Sequence, residues 1–508
     1  MAADVPTKSP ITFSQLPVEL IAEIFVLAQG SDNGFPAWTP CRPSDWKQRT
    51  WLNVAGVSRR WRQIALETPQ LWATLDLTSS ASGMEMIERS KGAPLRVRCC
   101  RPFKYSLHKS IGEAIIRQFS RIEELNISGA TQDMKQLFEE ALPSTTYASL
   151  PVLRTLRMSS KLDCTGLPSL PRLIASSHLP ALHLIELHNF KLDLPLLPLP
   201  RLVRLHLSSQ SDSNAISWDI LFHSLRNMPN LEDLTLFYVA LDAPDPDTSS
   251  TSVELSSLRT LNIKFKDLAS FSVLDYLKYP PSTKVTFICA ACVITSIPNL
   301  SGLRHLFSQL CQDDAPAVRE VRVHSGGAPP RYLSIAAYAA NAAPVRNVVL
   351  NCYDPTSHLA EICVQLCSAL PRQHLETLRL DGLEGLPRSA WPRLLQNMDA
   401  ITRVEASYIA PPFICALSRQ THTNEAPPLP KLRTLVLSYC EFEDPCFDPG
   451  CGEMIPTLMN VLQERKELGM VIQDLKLQQC QIGANKVAEL KVHTVTKVHW
   501  DGTGSSVT

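Results

Sequence analysis

Two cysteines three positions apart, in Cys289-Ala290-Ala291-Cys292, are the nearest approach of this chain to a metal or redox motif. A structural zinc needs two more soft ligands at matching spacing, and a redox pair needs its own strand–helix–strand frame. Neither accompanies this pair. Its flanks, Phe287-Ile288 and Val293-Ile294, are apolar, so it reads as structural. Cys440, Cys446 and Cys451 cluster with His422, but at irregular spacing and partly within an acid- and proline-rich loop. Cys363 and Cys367 are one helical turn apart and read as core. Arg89, Lys91, Arg96, Arg98, Arg101, Lys104 and Lys109 form a basic run with no acid among them, which reads as a solvated edge because Arg96-Val97-Arg98 alternates like a strand. There is no phosphate-binding glycine loop, no Gly-x-Ser-x-Gly elbow and no His-Glu-x-x-His. No histidine and carboxylate are spaced so as to single out an acid–base pair. The expectation is therefore a protein that is not an enzyme and holds no cofactor and no metal.

The elements that would carry any function are helices and strands built from an unusual amount of leucine. The 508 residues include 71 leucines, about 14% of the chain. Lys plus Arg and Asp plus Glu are 49 each, so no net charge draws the chain to nucleic acid or to an anionic membrane. The start is polar, no apolar run is long enough for a membrane span, and the 15 cysteines are scattered and odd in number. These features predict a soluble intracellular protein, cytoplasmic or nuclear, with most thiols reduced.

Near the start, Leu16, Leu20, Ile24 and Leu27 recur at helical spacing, and Ile21 and Phe25 widen the stripe. Pro17 is tolerable only in a first turn and marks the helix start. A second stretch, Trp51 to Ala65, puts Val54, Val57, Trp61 and Ile64 on one face, with Arg59, Arg60 and Arg62 on or near the other. Thr68-Pro69 ends it, and Leu71 and Trp72 follow. A unit this short buries little apolar surface, so a neighbouring domain or a partner must cover some of these side chains.

Three segments in this order, Leu16-Pro17-Val18-Glu19-Leu20 with Ile24-Phe25, Val57-Ser58-Arg59-Arg60-Trp61, and Pro69-Gln70-Leu71-Trp72, resemble the F-box family in the version common in fungal proteins. The resemblance implies a small helical module that docks on the Skp adaptor of Skp–cullin–F-box ubiquitin ligases. It implies adaptor contact through Leu16, Pro17, Leu20, Ile21, Ile24, Phe25, Val57 and Trp61, by apolar anchors filling pockets. For Leu20, Ile24 and Trp61 the other reading is that they form only the module's own core. Ser58 stands where the family usually has cysteine, and an insertion at 29–50, with Trp38 and Trp46, separates the two helical patterns.

From Ile122 onward one template recurs: apolar, two residues, apolar, one residue, apolar. Strong copies begin at Leu153, Leu202, Leu231, Leu258, Leu375 and Leu432. Weaker ones begin at Ile122, Leu182, Val318, Val345, Ile401 and Ile472, and a degenerate one surrounds Val285 and Phe287. Leu-Pro or Met-Pro often precedes a copy, where proline would set an extended entry. Stacked copies bury a shared leucine core that no single copy could form. This resembles the irregular leucine-rich repeats found behind F-boxes. The predicted fold class is α/β: a helical module at 12–76, a junction at 77–120, a leucine-rich-repeat solenoid at 121–500 with parallel strands on its concave side and helices on its convex side, and a disordered tail at 501–508. Helices are expected at 215–228, 267–278 and 358–370, a closing strand at 491–500, and loops at 242–252, 418–428 and 441–452.

Residues that alternate with the strand leucines would face the concave side. Candidate target-binding positions are Arg157, His188, Arg204, His206, Asp233, Phe237, Lys264, Arg322, His324, Arg379, Asp381 and Lys476. Both charge signs occur among them, which suits a protein or peptide better than a polyanion; each could equally be a solvated surface residue. The expected function is recognition: a monomer within a hetero-complex, bound to the Skp adaptor and through it to a cullin ligase, holding an unknown target protein, with no membrane or nucleic-acid partner. The alternative is a leucine-rich-repeat scaffold whose helical start caps the array and binds no adaptor.

Overall fold

The computed structural model describes residues 15–28, 53–77, 80–99, 102–137, 150–161, 179–190, 199–209, 218–239, 252–266, 273–293, 300–326, 331–339, 344–353, 358–383, 386–409, 411–418, 427–442, 453–493 and 496–502. The insertion at 29–50, most of the three predicted loops, and all but the first two residues of the predicted tail lie outside these. The chain forms two compact units, one of residues 1–233 with 239–242, the other of 234–238 with 243–508. No helix among the described residues is long and apolar enough to cross a membrane.

The first unit opens with three helices: α1 (Val18–Ala28), α2 (Val54–Val57) and α3 (Arg59–Glu67), followed by a 3-10 turn at Pro69–Trp72. The carbonyl of Pro17 accepts the Ile21 N–H at 3.2 Å, so the proline sits at the helix entry, where a missing donor costs nothing. The second apolar stretch is two helices. Ser58 is extended (φ −157°, ψ 164°), and its hydroxyl accepts the Trp61 N–H at 3.1 Å, capping α3. A parallel sheet follows directly: β1 (Thr74–Asp76), β2 (Leu95–Arg98), β3 (Ile122–Ala130), β4 (Thr155–Lys161), β5 (Leu184–His188) and β6 (Arg204–Ser208), each paired with the next. The sheet thus begins at Thr74, inside the segment expected to be a module end and a junction.

The second unit takes most of β7 (Asp233–Phe237) and continues through β8 (Val253–Glu254), β9 (Thr260–Phe265), β10 (Leu277–Lys278), β11 (Lys284–Val293), β12 (Glu320–Gly326), β13 (Arg331–Tyr338), β14 (Pro344–Tyr353), β15 (Thr377–Asp381), β16 (Arg403–Ser407), β17 (Thr434–Ser438), β18 (Asp474–Gln478) and β19 (Lys497–Trp500). β8 and β10 form a separate parallel ribbon. In the main sheet β9 pairs with β11 and β11 with β14, both parallel. β13 then lies antiparallel between β14 and β12, and β12 pairs parallel with β15. The stack continues in parallel from β15 to β19. The copies at Val318 and Val345 are therefore not neighbours. Residues 331–338, whose Leu333, Ile335 and Ala337 alternate inward, invert the local order.

Every template from Ile122 on carries a strand. Its second and third apolar residues point inward and are buried, as in Leu156 and Met158, Leu205 and Leu207, Leu378 and Leu380, or Leu435 and Leu437. In most copies the first apolar residue closes a turn. The N–H groups of Leu153, Leu182, Leu202, Leu231, Leu258, Ile401 and Leu432 donate to the carbonyl three residues earlier at 3.1–3.3 Å. Pro151, Pro180, Pro200, Pro229 and Pro430 occupy the second place of five of these turns, where a φ near −65° is what the turn requires. Proline here bends the chain into each strand; it does not extend it, contrary to the expectation from sequence. The predicted helices appear at Trp218–Arg226 and His358–Ser368; within 267–278 a single turn forms at Val273–Tyr276.

Two fully buried arginines hold turns and helix ends together without a carboxylate. Arg465, in the helix Met454–Glu467, donates to the carbonyls of Leu417 (3.1 Å), Pro428 (2.9 Å) and Leu429 (2.7 Å). Arg346, on β14, donates to Leu306 (3.2 Å), Pro281 (3.0 Å), Val345 (3.1 Å) and Thr283. Leu417 and Leu306 lie at helix C-terminal ends, where carbonyls lack helical partners and carry partial negative charge. Burial draws the Arg465 pKa down to about 10, so the guanidinium stays charged at neutral pH. Arg465→Met should take a donor from the carbonyls of Leu417, Pro428 and Leu429, the last of which keeps the Leu432 N–H, and cost about 3 kcal/mol, read as a lower urea midpoint. Arg465→Lys should restore only part, since one ammonium lacks the forked geometry.

Candidate functional site

Two surfaces carry the residues singled out by sequence, one on α1 and α3 and one on the outward side of the strands. On α1 the helical pitch separates two apolar stripes. Ile21 and Phe25 are 0% and 1% exposed and face inward, and the Phe25 ring meets half-buried Trp61 of α3 at 5.1 Å between centroids. Arg60 ties the helices together by donating to the Leu16 carbonyl at 2.8 Å, and the Trp72 indole N–H donates to the Ala65 carbonyl at 2.8 Å. Leu20 (47%), Ile24 (38%), Leu27 (71%) and Val57 (61%) remain in solvent. Of the eight predicted adaptor contacts, Leu20, Ile24, Val57 and Pro17 are exposed, Leu16 and Trp61 half-buried, and Ile21 and Phe25 sealed within the module. Ile21 and Phe25 have no surface to offer a partner; they set the orientation of the stripe that does. An exposed cluster of large aliphatic side chains on a short helix is an interaction surface by physical expectation.

The sequence matches the F-box-like family over residues 13–78. This N-terminal region is F-box-like. No curated protein matches the chain. Among solved structures, one from the crystal structure of the Rad7 and Elc1 complex in yeast aligns over 85% of this chain and 90% of that one, at 12% identity and a TM-score of 0.24. At that score the likeness carries no argument about this chain. The exposed stripe on α1 thus lies within the F-box-like region.

The strand face is organised in rows, because parallel pairing in register puts one residue of each strand on every rung. In the first unit one row runs Arg98, Asn126, Arg157, Glu186, His206. Glu124 bridges Arg98 (3.4 Å) and Arg157 (3.2 Å), and Arg157 reaches Glu186 at 3.0 Å. His188 bonds Ser208 at 2.6 Å, and Arg204 pairs with Asp233 at 3.0 Å. The basic run at 89–109 is likewise met by carboxylates, Arg89 by Glu85 and Arg96 by Glu123.

In the second unit the rows are Arg322, Arg379, Glu405, Val436, Lys476, His499 and, one step on, His324, Asp381, Ser407, Ser438, Gln478. Arg379 lies 3.0 Å from Glu320 and 3.3 Å from Glu405, and Arg322 lies 2.5 Å from Glu320. His324 lies 3.5 Å from Asp381 and is bonded by the Tyr332 hydroxyl. Phe237 stands half-buried on β7, and Lys264 lies over the Tyr238 ring at 4.7 Å. All twelve candidates therefore lie on strands with outward-facing side chains, none of them fully buried. Sequence reasoning missed the carboxylates of Glu124 and Glu405 and the tyrosines Tyr238, Tyr408 and Tyr439. The tyrosines had a signal: each stands two residues past the last apolar position of its template.

Among the described thiols Cys480 is drawn below its ordinary range by its hydrogen bond with Cys440, although it is buried. Cys363 and Cys367 are fully buried, and a bond shared with Cys363 together with burial pushes the Cys367 thiol well above its ordinary range. Cys440 is pushed up by its bond with Cys480 and by burial. Cys289 is buried on β11. Cys446, Cys451, His422 and the side chain of Cys292 lie outside the described residues. Among the described residues no three His, Cys, Asp or Glu side chains are grouped to hold a metal ion.

Two outcomes follow from this geometry. Leu20→Ala should leave stability within about 0.5 kcal/mol, whereas Phe25→Ala should cost about 3–5 kcal/mol; chemical unfolding of each variant separates surface from core. Burial lowers the pKa of His188, and lowers that of His206 against the opposing pull of Glu186. The unfolded chain therefore binds more protons than the folded chain as pH falls through the ordinary imidazole value of 6.5. Stability should drop on acidification from pH 7 to 5, and a His188→Gln, His206→Gln double variant should show a flatter profile.

Proposed function

We propose that the chain is the non-catalytic substrate-recognition subunit of a Skp–cullin–F-box ubiquitin ligase, working in the cytoplasm or nucleus. The observation that carries this is the coincidence of the F-box-like match at residues 13–78 with an exposed aliphatic stripe on α1, Leu20, Ile24 and Leu27, together with exposed Val57 on α2 of the same region. The stripe docks on the Skp adaptor, a helix face entering an apolar groove. The strands behind it are leucine-rich repeats of a solenoid. The support is that every copy of the template carries a strand with its apolar residues inward, and that a closed turn leads into most of them. Their outward rows offer paired charges of both signs to a protein target. The chemistry belongs to the ubiquitin-carrying enzyme on the cullin arm, and this chain supplies proximity.

A second reading draws on one contact. The Arg89 guanidinium lies 4.4 Å over the Trp72 ring, and β1 leaves the 3-10 turn directly, so the helical region also closes the end of the first sheet. If capping is its only role, no adaptor binds.

Co-expression with a Skp adaptor decides between them. The intact chain should retain the adaptor through affinity purification. A Leu20→Asp, Ile24→Asp variant should lose it by more than about a hundredfold while its urea midpoint stays unchanged. No retention by the intact chain, or retention by the folded double variant, contradicts the reading.

A further inference from the structure

Cys440 and Cys480 each stand three residues past the last leucine of a template, Leu437 and Leu477. Both are free thiols, 1% and 0% exposed. The strands that precede them, β17 and β18, pair in register, and their ladder runs on past the strand ends. The N–H of Tyr439 donates to the Gln478 carbonyl (3.0 Å), that of Gln481 to Cys440 (3.0 Å) and that of Phe442 to Gln481 (3.2 Å). Residues 439–442 and 478–481 therefore lie side by side, and the two cysteines stand across a strand spacing of about 4.8 Å. A disulfide spans Cα separations of about 4.4–6.8 Å, so this backbone spacing suits one.

The side chains meet as well. The Cys440 thiol and the Cys480 sulfur share a hydrogen bond. Backbone carbonyls hold both sulfurs in place: Cys440 Sγ lies 3.4 Å from the Ser438 oxygen, and Cys480 Sγ lies 3.3 Å from that of Leu437 and 3.4 Å from that of Gln478. The shared bond draws Cys480 below its ordinary range and pushes Cys440 above it, so Cys480 is the nucleophile of the pair. Their chain neighbours Tyr439, Glu441, Gln479 and Gln481 are all exposed, so the pair sits at the border of the interior, close to solvent for a molecule little larger than water. Cys363 and Cys367 are the contrast. They are fully buried within one helix, and the bond with Cys363 together with burial pushes the Cys367 thiol up.

We propose that Cys440 and Cys480 are an oxidation site, at which hydrogen peroxide joins them in a disulfide that staples β17 to β18. The Cys480 thiolate attacks one peroxide oxygen. The O–O bond breaks, the sulfur becomes a sulfenic acid, and the departing hydroxide takes the proton of the Cys440 thiol and leaves as water. The Cys440 thiolate then attacks the Cys480 sulfur; the S–O bond breaks, and this second hydroxide takes a proton from solvent. Two thiols lose two electrons, and the peroxide becomes two waters. The staple joins residues 40 positions apart and fixes the strand ends that carry Tyr439, whose ring stacks on that of Tyr408 at 4.9 Å with planes 5° from parallel. The site is separate from the adaptor-docking stripe and does not depend on it.

The test treats the full chain with hydrogen peroxide at neutral pH, blocks remaining thiols with N-ethylmaleimide and digests without reductant. Mass spectrometry should find the peptides of Cys440 and Cys480 joined, and dithiothreitol should separate them. The pair should oxidise at least about tenfold faster than Cys363 and Cys367. In a Cys440→Ser variant dimedone should capture a sulfenic acid on Cys480, whereas in a Cys480→Ser variant Cys440 should stay reduced. Three results overturn the proposal: both thiols left reduced, either one linked to a different cysteine instead, or Cys363 and Cys367 oxidised at the same rate, which marks a reaction of the unfolded chain. The linkage and its rate are read on the unsubstituted chain, so a variant that fails to fold leaves the test standing.

Discussion

Register is the constraint on which this molecule depends. Most copies of the template spend their first apolar residue closing a turn and their next two in the interior, so those strands enter their sheet at the same height. Within each unit, strands that enter at the same height bring residues of equal rank onto one rung. The interior then becomes continuous layers of leucine, isoleucine and valine, worth about 1.5–3 kcal/mol for each large side chain fully buried. The exterior becomes rows, and an arginine finds a carboxylate on the next strand without any local sequence arranging it. Glu124 lies between Arg98 and Arg157 because three strands share a register, although 26 and 33 residues separate it from those partners.

This explains what could be read in advance. The alternation of Leu205 and Leu207, or Leu435 and Leu437, is a local signal and marks a strand wherever it occurs. The outward residues between them follow from the same period, which is why all twelve candidate positions lie on strand surfaces. Four things were not local. Strand β13 has the right alternation, but its antiparallel seat between β14 and β12 depends on partners outside its own sequence. The prolines before the strands have the right φ for an extended entry and for a turn alike; only the bond closing three residues later distinguishes them. The burial of Arg346 and Arg465 depends on backbone carbonyls brought from distant segments, which neither composition nor periodicity reveals. The tyrosine stack arises from two residues 31 positions apart brought together by one rung.

The N-terminal helix shows the same limit on a smaller scale. Apolar residues at helical spacing mark a face, but a face 100° wide holds two stripes. Residues 21 and 25 point into α3, and residues 20, 24 and 27 point away. Spacing alone treats the five as equivalent, and the family resemblance assigns one role to four of them, Leu20, Ile21, Ile24 and Phe25. Packing divides the work: Phe25 against Trp61 fixes how α1 sits, and this fixes which aliphatic side chains are left in water. The exposed stripe is thus a consequence of the module's own core.

Amide hydrogen exchange of the full chain, alone and with a Skp adaptor, tests the central claim most directly. Protection on adding the adaptor should be confined to α1, α2 and the start of α3, with the strands from β3 to β19 unchanged. Protection spread over the strands, or none in residues 18–28, would contradict the assignment of adaptor docking to the helical stripe.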